Sequence, residues 1–282
     1  MTFHTPPAAH VEHVKINVSD LNRAIEFYTE SLGFSVLDKN DQSASLTTDG
    51  ETSILSLYQP ENAAPKGRTS GLYHFAILLP ERSDLAAITL QLANKNIRFG
   101  SADHRVSEAL YLNDPDGNGI EIYIDRPAEE WNWHNGQVEM TTEPLDFENL
   151  LKSFDPVRPW NGMPKDTVMG HLHLHVGDLS AALKFYTEGL GLDIVCDFAG
   201  QAMFMSTENY HHHIAVNIWN GPDAPAPDKN GVGLNYYVLR YPDETSRDAA
   251  ITRLEKIGFD VTHENGKAFS ADSSGSRVEL AF

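Results

Sequence analysis

Thirteen histidines are spread through this 282-residue chain, and the spacing of a few of them points to chemistry. His171, His173 and His175 alternate with Leu172, Leu174 and Val176. Residues two apart on a strand share a face, so three imidazoles point one way and three aliphatic side chains the other. His74 lies between Tyr73 and Phe75, and Glu121 lies between Ile120 and Ile122. Imidazole and carboxylate together suit divalent first-row metals, and two imidazoles with one carboxylate leave coordination positions open on iron(II). The plain reading of any one of these histidines is a satisfied core residue, and that of Glu121 is a solvent-facing strand position. For the stripe as a whole, a polar or metal-lined cavity is the better reading.

A second cluster lies in residues 104–121, HRVSEALYLNDPDGNGIE. Asp114-Pro115-Asp116-Gly117 is a turn on propensity alone. What sets the segment apart is His104, Tyr111 and Glu121 around that turn. A third group is Tyr210-His211-His212-His213.

The elements that must position these residues come from a duplication. Residues 13–33 read HVKINVSDLNRAIEFYTESLG, and residues 171–191 read HLHLHVGDLSAALKFYTEGLG. Val18, Asp20, Leu21, Phe27, Tyr28, Glu30 and Gly33 recur 158 positions later. A repeat that long is a whole domain and not a solenoid unit. Each copy opens on an alternating strand. An Asp N-cap then starts an amphipathic helix, which ends at glycine. Strands are expected at 34–38, 43–48 and 53–58. A second unit follows, with a strand at 72–79, a helix at 83–95 and strands at 97–100, 108–113 and 119–124. In the second half, a strand at 233–240, a helix at 246–257 and the tail repeat that plan. Four β-α-β-β-β modules result, in a first domain at 10–126 and a second at 168–282. The connector, 127–167, carries Trp131, Trp133, Pro156, Pro159 and Trp160. It is expected to pack on a domain as irregular structure.

Composition narrows the function. The formal net charge is −19, which repels nucleic acid and anionic membranes. No apolar run approaches the ~20 residues of a membrane helix. The N-terminus shows no secretory pattern. Cys196 is the only cysteine, so intramolecular disulfides are excluded and the cytoplasm is expected.

The four-module plan resembles the vicinal-oxygen-chelate superfamily, which includes glyoxalases, extradiol dioxygenases and fosfomycin-resistance proteins. The resemblance covers nearly the whole chain. It implies an α+β fold in which pairs of modules curl into two half-open barrels, or cups, with metal ligands on cup-facing strand positions. On this plan Tyr73, Phe75 and Ile77 cover the helix while His74 and Glu121 face the cup.

Residues 104–121 are similar to the extradiol ring-cleavage signature, through His104, Leu110, Tyr111, Asp114, Pro115, Gly117 and Glu121. Ala102 departs from it, standing where the pattern carries Gly, Asn, Thr, Ile or Val. The resemblance implies Gly170-His171 as the first ligand, with His74 and Glu121 completing the set. Module four departs badly, with Tyr236 in the place of His74 and Phe269 in that of Tyr111. It retains Glu279 and has His263 near the histidine position. Module one supplies only His13. The complete set therefore draws on modules two and three, either paired within the chain or exchanged between subunits. The competing layout pairs modules one and two, with His13 as the alternative first ligand beside His74 and Glu121.

The activity so implied is extradiol (meta) cleavage of a catechol by O2 at mononuclear Fe(II), as in catechol 2,3-dioxygenases of aromatic hydrocarbon catabolism. A 2-hydroxymuconate-semialdehyde-type product would form. Mn(II) fits the same ligands. His212 would act as base and stabilise the reduced oxygen, while His104 and Tyr111 would hydrogen-bond the substrate. Phe75, Tyr123 and the tryptophans are candidates for an aromatic pocket, with core packing favoured for Phe75. The partners expected are a small aromatic diol, O2 and further copies of the chain, as a dimer or larger. Two other readings stay open. One is a glyoxalase-like isomerase or lyase with Zn(II) or Ni(II), whose second carboxylate would have to be Glu279 or Glu12. The other is a metal-free protein that binds a small ligand.

Overall fold

The computed structural model describes residues 3–282. Each module repeats one plan. The first runs β1 (His10–Asn17), α1 (Leu21–Glu26), β2 (Ser35–Lys39), β3 (Ser43–Thr47) and β4 (Ser53–Tyr58). The second runs β5 (Gly71–Leu78), α2 (Arg82–Asn94), β6 (Gly100–Asp103), β7 (Ser107–Asn113) and β8 (Gly119–Asp125). A connector follows, with the short hairpin β9 (Trp133–His134) and β10 (Gln137–Val138) and the helix α3 (Phe147–Leu151). The third module holds β11 (Val168–His175), α4 (Leu179–Leu183), β12 (Asp193–Phe198), β13 (Ala202–Ser206) and β14 (Ile214–Asn217). The fourth holds β15 (Gly233–Arg240), α5 (Glu244–Lys256), β16 (Thr262–Glu264), β17 (Lys267–Ala271) and β18 (Arg277–Ala281). Among the described residues, no helix is long and apolar enough to cross a membrane.

The strands form two eight-stranded sheets, ordered β12-β13-β14-β11-β5-β8-β7-β6 and β16-β17-β18-β15-β1-β4-β3-β2. Modules two and three share the first sheet, and modules one and four share the second. The halves 10–126 and 168–282 therefore each give one module to each cup. This pairing is complete within one chain and needs no exchange between subunits.

The first helix of each half differs from the continuous α-helix its pattern predicts. In both copies the α-helix passes into a π-helical turn, Phe27–Leu32 and Lys184–Gly189. The wider turn serves a buried tyrosine. Tyr28 donates its O–H to Asp114 at 3.1 Å, and Tyr186 donates to Asp272 at 2.8 Å. Asp114 also accepts the N–H groups of Asp116 and Asn118. The Asp-Pro-Asp-Gly turn is thus a structural peg that ties module two back to module one, with the Asp114 carboxylate buried.

One continuous apolar core draws on both sheets and their helices. Phe75, Ile77, Leu172 and Leu174 are fully buried in it. That places the opposite face of β5 and β11 in the cup.

Candidate metal centre

Two interruptions in the β5–β11 ladder aim the side chains. The register runs Leu174↔Leu72 and then His173↔His74, so Tyr73 is an extra residue. It runs His171↔Ala76 and then Met169↔Ile77, so Gly170 is extra. A bulge resets the alternation of faces. Tyr73 is therefore displaced from the helix face that strict alternation predicts. Leu72 takes the core position, and Tyr73 joins His74 on the cup side, 37% exposed. Gly170 lets Met169 stay in the core while His171 turns into the cup. A Cβ at Gly170 would meet the Tyr123 hydroxyl, so the strand can pass there only without a side chain.

Within this cup, donor atoms of His74, Glu121 and His171 all lie within 4.8 Å of one another. His171 Nε2 is 3.0 Å from Glu121 Oε2, and His74 Nε2 is 2.9 Å from the same oxygen. The His74 approach lacks hydrogen-bond geometry, and this buried nitrogen has no other partner. Two imidazole nitrogens converging on one carboxylate oxygen, one of them orphaned, fit a divalent cation held among them. Burial alone would raise Glu121, but His171 first and His74 second hold it well below the usual carboxylate range. Burial lowers His171 to about 4. The His171 imidazole and the Glu121 carboxylate are thereby offered as ligands at neutral pH.

The cluster opens into a cavity of about 370 Å3, near the small end of the ~300–1,000 Å3 typical of small-molecule sites. Tyr111, His104 and His212 line it with His74 and Glu121. His104 Nδ1 donates to the Thr141 carbonyl at 2.6 Å, and its Nε2 pairs with the Tyr111 hydroxyl at 2.6 Å. Burial pushes the Tyr111 phenol well above its usual range, with the Glu121 charge adding to the effect. His212 packs against His171, ring centroids 4.0 Å apart, and its Nδ1 lies 2.8 Å from Nδ1 of His211.

The rest of the histidine stripe is bound elsewhere. Asn217 donates to His173 Nε2 at 2.9 Å and accepts from His175 Nδ1 at 2.7 Å. His13 lies in the other cup, against Ser56 Oγ at 2.9 Å, and is not part of the His74–Glu121–His171 cluster. There Glu279 pairs with Lys267 Nζ at 2.9 Å, so an ammonium stands beside the carboxylate. Tyr236 and Phe269 pack edge to face in the same cup. His263 is exposed on an edge strand.

Several cavity residues carry no signal in the sequence. Met140, Thr141 and Thr142 arrive from the connector, and Phe198, Phe204 and Trp219 from the outer part of module three. None belongs to a motif, and only the curl of the sheet assembles them. Tyr123 and Phe75, considered for an aromatic pocket, are both buried away from it. Trp131 packs behind His211.

Residues 10–122 and 168–280 both match the family model for the Glyoxalase/Bleomycin resistance protein/Dioxygenase superfamily. The chain is 44% identical over 277 residues to catechol-2,3-dioxygenase of Bacillus subtilis (strain 168), spanning 97% of this chain and 96% of the relative. It is 32% identical over 152 residues to biphenyl-2,3-diol 1,2-dioxygenase 3 of Rhodococcus globerulus, spanning 51% of this chain and 77% of the relative. Among solved structures, glyoxalase I from Zea mays superposes with a TM-score of 0.58 at 17% identity, over 96% of this chain and 92% of that one. At that identity the likeness is one of fold alone.

Proposed function

Because this chain belongs to the glyoxalase/bleomycin resistance/dioxygenase superfamily, we propose that it is an extradiol dioxygenase that opens a catechol ring with O2 at Fe(II) held by His74, His171 and Glu121. The observation that carries the reading is the convergence of those three donors at a cavity that His212 and Tyr111 also line. The near full-length match to a catechol-2,3-dioxygenase supports it. A 2-hydroxymuconate-semialdehyde-type product is part of the proposal, and Mn(II) could fill the same ligand set. The lone cysteine, buried and unpaired, accords with the cytoplasm.

Bound iron(II) would bring catechol and O2 together on one centre and activate the oxygen. The side chains divide the remaining work. The Thr141 carbonyl can only accept, so the proton of neutral His104 sits on Nδ1 and its Nε2 accepts from Tyr111. The Tyr111 oxygen then keeps a lone pair for a catechol hydroxyl and a route to pass its own proton to His104. His104 would thus act through Tyr111 and not directly on the ring. His212, from the opposite module, would serve as the base facing oxygen. Among the described residues, Glu121 is the only carboxylate lining the cavity. That leaves no second carboxylate for the proton transfer of a glyoxalase-like reaction, since Glu279 lies in the other cup.

The test is metal analysis of the purified protein, then anaerobic Fe(II) reconstitution and addition of catechol and air. Oxygen uptake with a yellow semialdehyde is the expected result. Zinc or nickel with turnover of a thiol adduct would replace the proposal with the isomerase reading. A protein that binds a small ligand but no metal would replace it with the binding reading.

A further inference from the structure

Behind His212 lies a second imidazole, and behind that a carboxylate. His211 Nε2 is 2.7 Å from Asp125 Oδ1, and His211 Nδ1 is 2.8 Å from His212 Nδ1. They come from two separate places in the fold: Asp125 ends β8, while His211 and His212 lie in the loop before β14. Neither contact is required to close a sheet.

The distances constrain the protons. A carboxylate accepts, so Nε2 of His211 carries its hydrogen. Two facing Nδ1 atoms at 2.8 Å need one proton between them, because two N–H groups or two lone pairs would repel. A neutral His211 has spent its only N–H on Asp125 and must accept. Nδ1 of His212 is then the donor, and Nε2 of His212 is left as a lone pair. Among the described residues that nitrogen has no hydrogen-bond partner, and His212 lines the cavity. We propose that Asp125 and His211 are positioning residues that lock His212 in the Nδ1–H tautomer, so that it meets the cavity as an acceptor.

The surroundings of His211 hold this arrangement. Its ring is fully buried, with Tyr210 4.1 Å and Trp131 5.2 Å away between centroids. Tyr210 donates a second, longer bond to Asp125 at 3.3 Å. Phe3 stacks on both Trp131 and Tyr210. Trp131 of the connector and Phe3 of the N-terminal segment therefore contribute to the site without lining its cavity, by walling in the ring that sets the tautomer. Partners one shell out commonly change activity by roughly 10- to 100-fold when removed.

The kinetic consequence rests on the dioxygenase reading, but the tautomer does not. The first test is 15N–1H correlation spectroscopy of the metal-free protein with labelled histidine. His212 is expected as the Nδ1–H form in the native chain and as a mixture in Asp125→Ala. A native His212 protonated at Nε2, or an unchanged tautomer in Asp125→Ala, overturns the proposal. The second test is steady-state kinetics of the iron-loaded enzyme. His211→Leu is expected to lower kcat by about 10- to 100-fold with little change in KM. His211→Gln should recover much of kcat, because its Oε1 can accept from His212 while its Nε2 donates to Asp125. Equal losses in the Leu and Gln variants, or a loss confined to KM, would show a merely structural role. Wild-type protein without ring-cleaving activity would sink the dioxygenase reading and leave the spectroscopic result to decide the tautomer.

Discussion

A Cβ built on Gly170 would lie 2.0 Å from the hydroxyl oxygen of Tyr123. This approach explains why a glycine precedes His171. The strand bulges at Gly170 to turn His171 inward, and the buried Tyr123 fills the space that the missing side chain leaves. Gly170→Ala must push Tyr123 or the strand aside. Overpacking of this kind costs about 1–3 kcal/mol, and the shift would move His171 relative to Glu121. We expect a lower melting temperature and weaker metal retention, read by thermal melts with and without chelator. An unchanged melt and metal content would show that the strand yields freely.

The two cups carry the same carboxylate in different settings. Glu121 faces two imidazoles, whereas Glu279 faces the Lys267 ammonium. Glu121→Gln is expected to abolish both metal binding and turnover, while Glu279→Gln keeps both at the wild-type level. Metal analysis and oxygen uptake of the two variants check this. Loss of metal from Glu279→Gln alone would transfer the site to the other cup.

The mouth of the cavity is ringed by aromatic side chains that remain in solvent. Tyr73, Phe198 and Trp219 are 37%, 39% and 41% exposed, although all three line the cavity. Trp219 is seated against Tyr73 and His173, and its backbone N–H donates to Asn217 Oδ1. Among the described residues, no lysine or arginine lines this cavity. A neutral catechol with an apolar substituent matches such a rim better than one bearing a carboxylate. Trp219→Ala should raise KM for a phenyl- or alkyl-substituted catechol by roughly 2- to 10-fold, from ~0.5–1.5 kcal/mol for an aromatic contact. Unsubstituted catechol should change less. The same rise for both substrates would place Trp219 at the metal end instead.

Stability should fall in mild acid. Burial lowers His4 and His13 from 6.5 to about 4, so both stay neutral in the fold where the unfolded chain would protonate them. The unfolded state then binds more protons, and stability is lost as pH drops from 6.5 toward about 4. Melting temperatures across that window should decline. His4→Gln keeps a donor toward the Gly170 carbonyl and removes the titration, so its decline should be shallower. An identical slope would assign the effect to other groups.

The sequence alone determined the local parts of this protein. The duplication, the N-capping Asp20 and Asp178 and the alternating strands specify four modules, since each depends on neighbours a few residues apart. His74, His104, Tyr111 and Glu121 were legible because they share one module at set spacings, and His171 because its strand alternates cleanly. The absence of a histidine at Tyr236 even indicated which modules must meet. The tertiary structure decided what depends on contacts between distant segments. The bulge that turns Tyr73 into the cup arises from strand pairing. The cavity wall of Met140, Phe204 and Trp219 arises from the curl of the sheet around the connector. The Asp125–His211–His212 line joins residues 86 and 87 positions apart. No local pattern encodes such meetings, because the energy that favours them comes from surfaces that exist only after the sheets have formed.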